Sequence, residues 1–167
     1  LGQPGTGKSA FAKRQILGLT ATGVRPVVLG DPKGEYAQLV ERLGGQVIRV
    51  GPGLDRLNPL DAQGFGGEDP LEVRSRRLSL LMALCTLVRK ESRLGNGEEV
   101  VLAAAVDEVA ERGHNPTVGQ VLAVLREPGE RVVSAAQVRT MADYDAATQQ
   151  LRWTLGLLCG GTLKGVF

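Results

Sequence analysis

Aromatic residues are scarce. One Trp, two Tyr and three Phe in 167 residues are too few for a base-stacking platform that would hold single-stranded nucleic acid. Cysteine is nearly absent: Cys85 and Cys159 sit among apolar neighbours, in MALCTLV and GLLCGG, without metal-ligand spacing. They read as small buried thiols in a reducing cytoplasm, not as a disulfide or a zinc site. His114 is the sole histidine, in GHNP; alone it cannot make a metal centre, and it reads as loop surface or a helix cap. No apolar run reaches the length of about 18 residues that a membrane-spanning helix needs, so none is expected. The opening LGQPGTGKS has no basic stretch followed by an apolar one, so no secretory signal is expected there. Neither sign of charge dominates: 20 Lys and Arg face 18 Asp and Glu, and the net charge of +2 is too small to argue for nucleic acid by itself.

What is present divides by texture. Residues 1–67 are rich in Gly and Pro with short β-branched runs, whereas residues 68–159 are rich in Leu, Ala, Glu and Arg at helical spacing. In the first part SAFAKRQILGLTA reads as a helix with Phe11, Ile16 and Leu19 on a buried face. VVLG, after Arg25-Pro26, reads as a buried parallel strand, DPKG as a turn, EYAQLVERLG as a second helix closed by Gly44-Gly45, and QVIRV as a second strand. Alternating helices and strands predict an α/β doubly wound arrangement. The strand that would feed the Gly-rich loop would precede Leu1, and the sequence is read as a piece of a longer protein.

The second part predicts about four helices. LEVRSRRLSLLMALCTLVRK would place Leu80, Leu84, Leu87 and Val88 on one face, with Arg74, Arg76, Arg77 and Arg89 largely elsewhere. EEVVLAAAVDEVAERG has acids in its first turn and Gly113 as its stop. TVGQVLAVLRE starts at Thr117, a residue suited to cap it, and SAAQVRTMADYDAATQQLRWTLGLLCGG reads as one last, longest helix.

The strongest chemical signal is Gly2-Gln3-Pro4-Gly5-Thr6-Gly7-Lys8-Ser9, which fits GxxxxGK[ST]. A triphosphate needs several donors converging on a small volume. Glycines let the backbone wrap closely, the N–H groups of residues 5–9 then point inward as an anion nest, and the following helix adds its positive end. Lys8 is placed to reach the β- and γ-phosphates of ATP, and the Ser9 hydroxyl to hold Mg²⁺.

A second signal is VVLGDPKGEY, residues 27–36. Asp31 and Glu35 would lie just past a strand end, where open α/β sheets bind ligands. There Glu35 could orient an attacking water and Lys33 could face phosphate. On their own these residues read first as a surface turn in which Asp31 caps the next helix. VVLAAAVDE, residues 100–108, loosely matches a strand that ends on Mg²⁺-coordinating Asp107 and catalytic Glu108, but its alanines and its continuation into VAERG favour a helix. Arg74, Arg76 and Arg77 read as a solvated helix face before they read as a nucleic-acid path.

GQPGTGKS, VVLGDPKGEY, GGQVIRVGPG and LNPLD occur in that order at close spacing. The succession resembles the FtsK–HerA superfamily of ring ATPases, most of all the TraC-type ATPases of conjugation and type IV secretion. NPTVGQVLAVL and the closing GGTLKGVF are similar to the end of the helical lobe of that branch. The resemblance implies an incomplete RecA/HerA-like parallel sheet over residues 1–67, an all-helical lobe over 68–159, and a return towards the sheet from 160 to 167. It implies a motor that binds ATP and Mg²⁺ through Gly2 to Ser9, with Asp31, Lys33 and Glu35 towards the nucleotide. It also implies a ring, usually of six subunits, at the cytoplasmic face of the inner membrane, with secretion-channel proteins and DNA as partners. The Mg²⁺-coordinating and catalytic acids of the family are expected after Phe167, so this stretch alone is not expected to hydrolyse ATP. A DNA-pumping translocase of the same superfamily and a non-hydrolysing, nucleotide-binding scaffold subunit are the alternatives.

Overall fold

The computed structural model describes residues 7–51, 54–61, 69–90, 92–113 and 115–160. The chain divides into two compact units, Leu1–Ile48 and Arg49–Phe167.

In the first unit α1 spans Lys8–Ala21 and α2 spans Ala37–Arg42. The end of α1 is closed by Thr22 and Gly23, whose N–H groups donate to the carbonyls of Leu19 and Thr20. The DPKG turn forms as its sequence predicts, with the Gly34 N–H donating to the Asp31 carbonyl at 3.1 Å. The second helix is shorter than EYAQLVERLG predicts, and Gly44-Gly45 closes it: Gly44 has φ 72° and the Gly45 N–H donates to the Val40 carbonyl at 2.9 Å.

The expected parallel sheet does not form. Among the described residues there is no strand, and the one ladder contact is an isolated parallel bridge between Val50 and Asp55. VVLG and the start of QVIRV run without pairing, leaving Val27 79% and Leu29 88% exposed. An apolar β-branched run favours extended backbone, but it becomes a strand only where a neighbour accepts its N–H and C=O groups and covers its side chains. Without a sheet to pack on, α1 buries no residue: Phe11 and Leu19 are exposed, not the core face that their spacing suggests. The α/β sheet core is therefore replaced by an all-helical arrangement among the described residues.

The second unit holds the hydrophobic core. Its helices are α3 (Pro70–Val88), α4 (Asn96–Arg112), α5 (Val118–Arg126), α6 (Glu130–Ala135) and α7 (Met141–Cys159). Their starts follow from local chemistry. Asp69 accepts from the Leu71 N–H ahead of Pro70 in the first turn of α3. Thr117 and Gln120 cap α5 reciprocally, at 3.3 Å to Thr117 Oγ1 and 2.9 Å to Gln120 Oε1. Helix α4 opens with Glu98 and Glu99 and ends at Gly113, as its sequence predicts.

Helix α4 is central, packing on α3, α5, α6 and α7. Its Leu102, Ala105 and Val106 meet a core made of Leu81 and Cys85 of α3, Val121 and Leu125 of α5, Val132 of α6, and Tyr144, Leu151 and Leu155 of α7. Each fully buried Leu contributes about 2 kcal/mol of transfer free energy. Two expectations are corrected here. The buried positions of α3 are Leu81 and Cys85, with Leu78, Met82, Leu84 and Val88 packed beside them, whereas Leu80 and Leu87 are exposed. The helix expected from Ser134 onward is two helices: the chain breaks after Ala136, Gln137 takes φ 54°, and Thr140 caps α7 by accepting from the Asp143 N–H at 3.1 Å.

Candidate phosphate-binding loop

Gly2, Gln3, Pro4, Gly5 and Thr6 lie outside the described residues, as does His114. The structure describes the end of the motif. Gly7 sits at the N-cap of α1 with φ 77° and ψ 12°, the left-handed region. A side chain there would meet no neighbour, so the demand for glycine comes from the backbone conformation and not from space. Lys8 and Ser9 occupy the first turn of α1, Lys8 exposed and Ser9 half-buried. The first helical hydrogen bond runs from the Phe11 N–H to the Gly7 carbonyl at 2.9 Å. The N–H groups of residues 8 to 10 therefore come before the intrahelical ladder. Among the described residues no side chain caps this end, and its first turn carries no acidic residue. The positive end of α1 thus meets no acid of its own first turn, and Lys8 stands beside it.

Among the described residues no strand precedes Asp31, Lys33 and Glu35, so they stand on no described sheet edge. Asp31 instead folds its own turn: one carboxylate oxygen accepts the Glu35 N–H at 3.0 Å and the other accepts the Tyr36 N–H at 2.8 Å. It closes the turn ahead of α2 and does not cap the helix as its residue type suggests: Tyr36 stands at the N-cap, with no side-chain cap bond. Lys33 and Glu35 are exposed on the same turn. A contact that no sequence pattern announces ties this turn to α1: the Lys13 ammonium lies 5.6 Å from the centroid of the Tyr36 ring.

The remaining candidates lie on the helical lobe. Asp107 and Glu108 are on α4, as their helical context predicts. Asp107 accepts a two-pronged pair of bonds from Arg74, Nε to Oδ1 at 2.6 Å and Nη2 to Oδ2 at 2.8 Å, while Glu108 pairs with Arg112. Arg76 pairs with Glu72 at 3.3 Å, and Arg77 Nε donates to the Leu60 carbonyl at 2.8 Å. The arginines of α3 are thus committed inside the lobe. Among the described residues no three His, Cys, Asp or Glu side chains gather as a metal site. A groove of about 240 Å³ on the lobe, lined by residues such as Val109, Arg112, Pro116, Gln120 and Glu127, includes none of the predicted site residues.

Burial pushes the Cys85 thiol up to about 11, and it pushes Cys159 up as well. Both read as packing residues, not nucleophiles. No described helix is long and apolar enough to cross a membrane. No protein-family model, curated protein or solved structure matches the chain.

Proposed function

We propose that the chain is the ATP-binding part of a ring-forming motor ATPase that powers conjugative DNA transfer or type IV secretion. The observation that carries this reading is the placement of Gly7-Lys8-Ser9. These three residues close a GxxxxGKS motif and stand at the N-terminus of a 14-residue helix whose first turn carries no acidic residue, with Gly7 left-handed. The donor set fits a phosphate: backbone N–H groups, an ammonium and a hydroxyl on one short stretch. ATP would lay its β- and γ-phosphates against this end of α1. Lys8 would offset their charge and Ser9 would hold Mg²⁺, which supplies Lewis-acid stabilisation of the phosphate oxygens. Asp31 would keep the turn of Lys33 and Glu35 in shape, leaving Glu35 to orient a water and Lys33 to face phosphate. The order of GQPGTGKS, VVLGDPKGEY and LNPLD supports the narrower choice of a conjugation or secretion motor. In that setting the protein would sit against the inner face of the membrane among channel proteins, with copies of itself forming a hexameric ring.

The test is nucleotide binding by calorimetry with ATP and Mg²⁺, comparing the wild type with Lys8→Ala. Loss of about tenfold in affinity, worth about 1.4 kcal/mol, is the expected result. Equal affinity in the two proteins, or no binding by the wild type, overturns the reading. Binding that persists without turnover in the assembled ring would move the assignment to a nucleotide-holding scaffold.

A further inference from the structure

Three consecutive backbone N–H groups end on Asp31. Gly34 donates to the Asp31 carbonyl at 3.1 Å, Glu35 to one carboxylate oxygen at 3.0 Å, and Tyr36 to the other at 2.8 Å. Gly34 allows this closure with φ 66°, in the left-handed region that glycine enters without steric cost. Residues 31–36 are therefore a closed turn whose positions are tied to one another. Lys33 stands exposed within it, and Tyr36 ends it. A shift of Tyr36 relative to α1 carries Lys33 with it.

Deep burial does not hold this turn against α1: neither α1 nor α2 buries a residue, and there is no strand among the described residues. A side-chain contact crosses from one to the other instead. The Lys13 ammonium lies 5.6 Å from the Tyr36 ring centroid, within cation–π range, and both residues are half-buried. Lys13 stands five residues after Lys8 on the same helix. That places it about 7.5 Å further along the axis, or about one and a half turns. The Tyr36 ring is thus fastened to the helix whose first turn holds Lys8 and Ser9, shortly after those residues.

We propose that Lys13 and Tyr36 are positioning residues: their contact docks the Asp31 turn on α1 so that Lys33 meets the terminal phosphate of ATP, which ADP lacks. This rests on the ATP-binding reading. The backbone donors at the start of α1 serve the phosphates that ATP and ADP share. An ammonium brought in from a second segment adds attraction chiefly where one more phosphate, with its extra negative charge, extends towards it. Preference for ATP over ADP then depends on how firmly that second segment is seated. The Tyr36 ring face and the Lys13 charge set the seat without touching the nucleotide. The phenol oxygen is not needed for this, because the ring face is what attracts the cation.

Calorimetry on the full chain with Mg²⁺, titrating ATP and ADP separately, reads this as the ratio of the two affinities. The wild type is expected to prefer ATP. Tyr36→Leu and Lys13→Gln are each expected to lower that preference by about threefold or more while ADP affinity holds, a change on the scale of one cation–π contact. Tyr36→Phe and Lys13→Arg keep the ring and the charge and are expected to keep the preference. Lys33→Ala is expected to lower it as well, and Tyr36→Leu combined with Lys33→Ala to lower it no further than Lys33→Ala alone. Circular dichroism of each variant guards against loss of α1. The positioning role is overturned, while ATP binding stands, by any of four results: equal affinities in the wild type, a preference kept in Tyr36→Leu, a loss shared equally by both nucleotides, or a loss in Tyr36→Phe as large as in Tyr36→Leu. If the wild type binds neither nucleotide, the ATP-binding reading itself has failed.

Discussion

Arg89 and Glu98 face each other across the α3–α4 connection with two parallel bonds, Nη1 to Oε2 at 2.7 Å and Nη2 to Oε1 at 2.6 Å, and their side chains are only 7% and 16% exposed. Each is used again. Arg89 Nε donates to Thr154 Oγ1 of α7 at 2.8 Å, and Glu98 Oε2 accepts the Gly95 N–H at the start of α4 at 3.0 Å. The pair thus ties three helices at one end of the lobe. Removing one member strands the other in a poorly solvated place. Glu98→Gln is expected to cost about 3 kcal/mol, whereas replacing both residues by apolar ones (Arg89→Met with Glu98→Leu) is expected to recover most of that loss. Urea unfolding of the single and double variants measures it; an additive double variant would contradict the coupling.

The same pair sets a pH dependence. The Arg89 guanidinium holds the Glu98 carboxyl below its ordinary value, with burial working against it and the Gly95 N–H helping. A carboxyl with a depressed folded value adds stability that is present above its unfolded value, near 4.5, and is lost as pH falls through the folded one. Wild-type stability is expected to decline on acidification below about pH 4.5 more steeply than that of Glu98→Gln. Parallel slopes in the two proteins would show that Glu98 does not drive the decline.

The helices were legible in the sequence because their signals are local. Thr117 before an apolar run, Gly113 after one, and Glu98-Glu99 in a first turn each act within a few residues, and each marks a real helix end. The break at Gln137 is hidden because SAAQVRTMADYD consists largely of residues a helix accepts; its one local signal is Thr140 three residues before Asp143, a capping pattern. The buried face of α3 is ambiguous in the sequence because leucines occupy several of its faces, so period alone cannot choose between Leu80 and Leu81. Strand formation is illegible for a different reason: VVLG states a backbone preference, while a sheet requires a neighbour that no local pattern contains. At the candidate site the turn-forming role of Asp31 is readable from its residue type, whereas its bonds stop at Tyr36, one residue short of α2. The Lys13–Tyr36 contact and the Asn58–Pro116 bond depend on tertiary placement and left no local trace.

The unpaired state of VVLG predicts an unusual tolerance. Leu29 is 88% exposed, so Leu29→Ser is expected to change stability by less than about 0.5 kcal/mol. Leu151→Ser or Leu151→Ala, at a fully buried position of α7, is expected to cost about 3 kcal/mol or more. Thermal unfolding of the two sets compares them directly. A penalty at Leu29 as large as that at Leu151 would mean that Leu29 is covered in solution.

Cys85 is fully buried between helices, and burial raises its thiol to about 11. At pH 8 almost none of it is thiolate in the folded protein, and access is closed as well. Native protein treated with Ellman's reagent is expected to leave Cys85 unmodified over minutes, and reaction is expected to follow unfolding by urea. Rapid labelling of Cys85 in the native state, located by peptide mapping, would contradict the packing of α3 against α4 and α7.

Two glycines on α1 separate conformational need from mere tolerance. Gly7 holds φ 77° at the N-cap, and Gly18 lies inside the helix with nothing near its would-be side chain. Gly18→Ala removes the helix penalty of glycine and is expected to stabilise α1 by about 0.8 kcal/mol. Gly7→Ala adds a side chain in the left-handed region at a cost of about 1–2 kcal/mol, a cost the chain can escape by reshaping the turn before Lys8. Reshaping that turn would move the N–H groups that precede the ladder of α1, so the expected consequence is loss of ATP affinity with little change in global unfolding. Gly18→Ala is expected to bind ATP as the wild type does. The pair is read by calorimetry beside circular dichroism. Equal ATP affinity in Gly7→Ala and Gly18→Ala would show that the left-handed turn at Gly7 serves the helix start and not a phosphate.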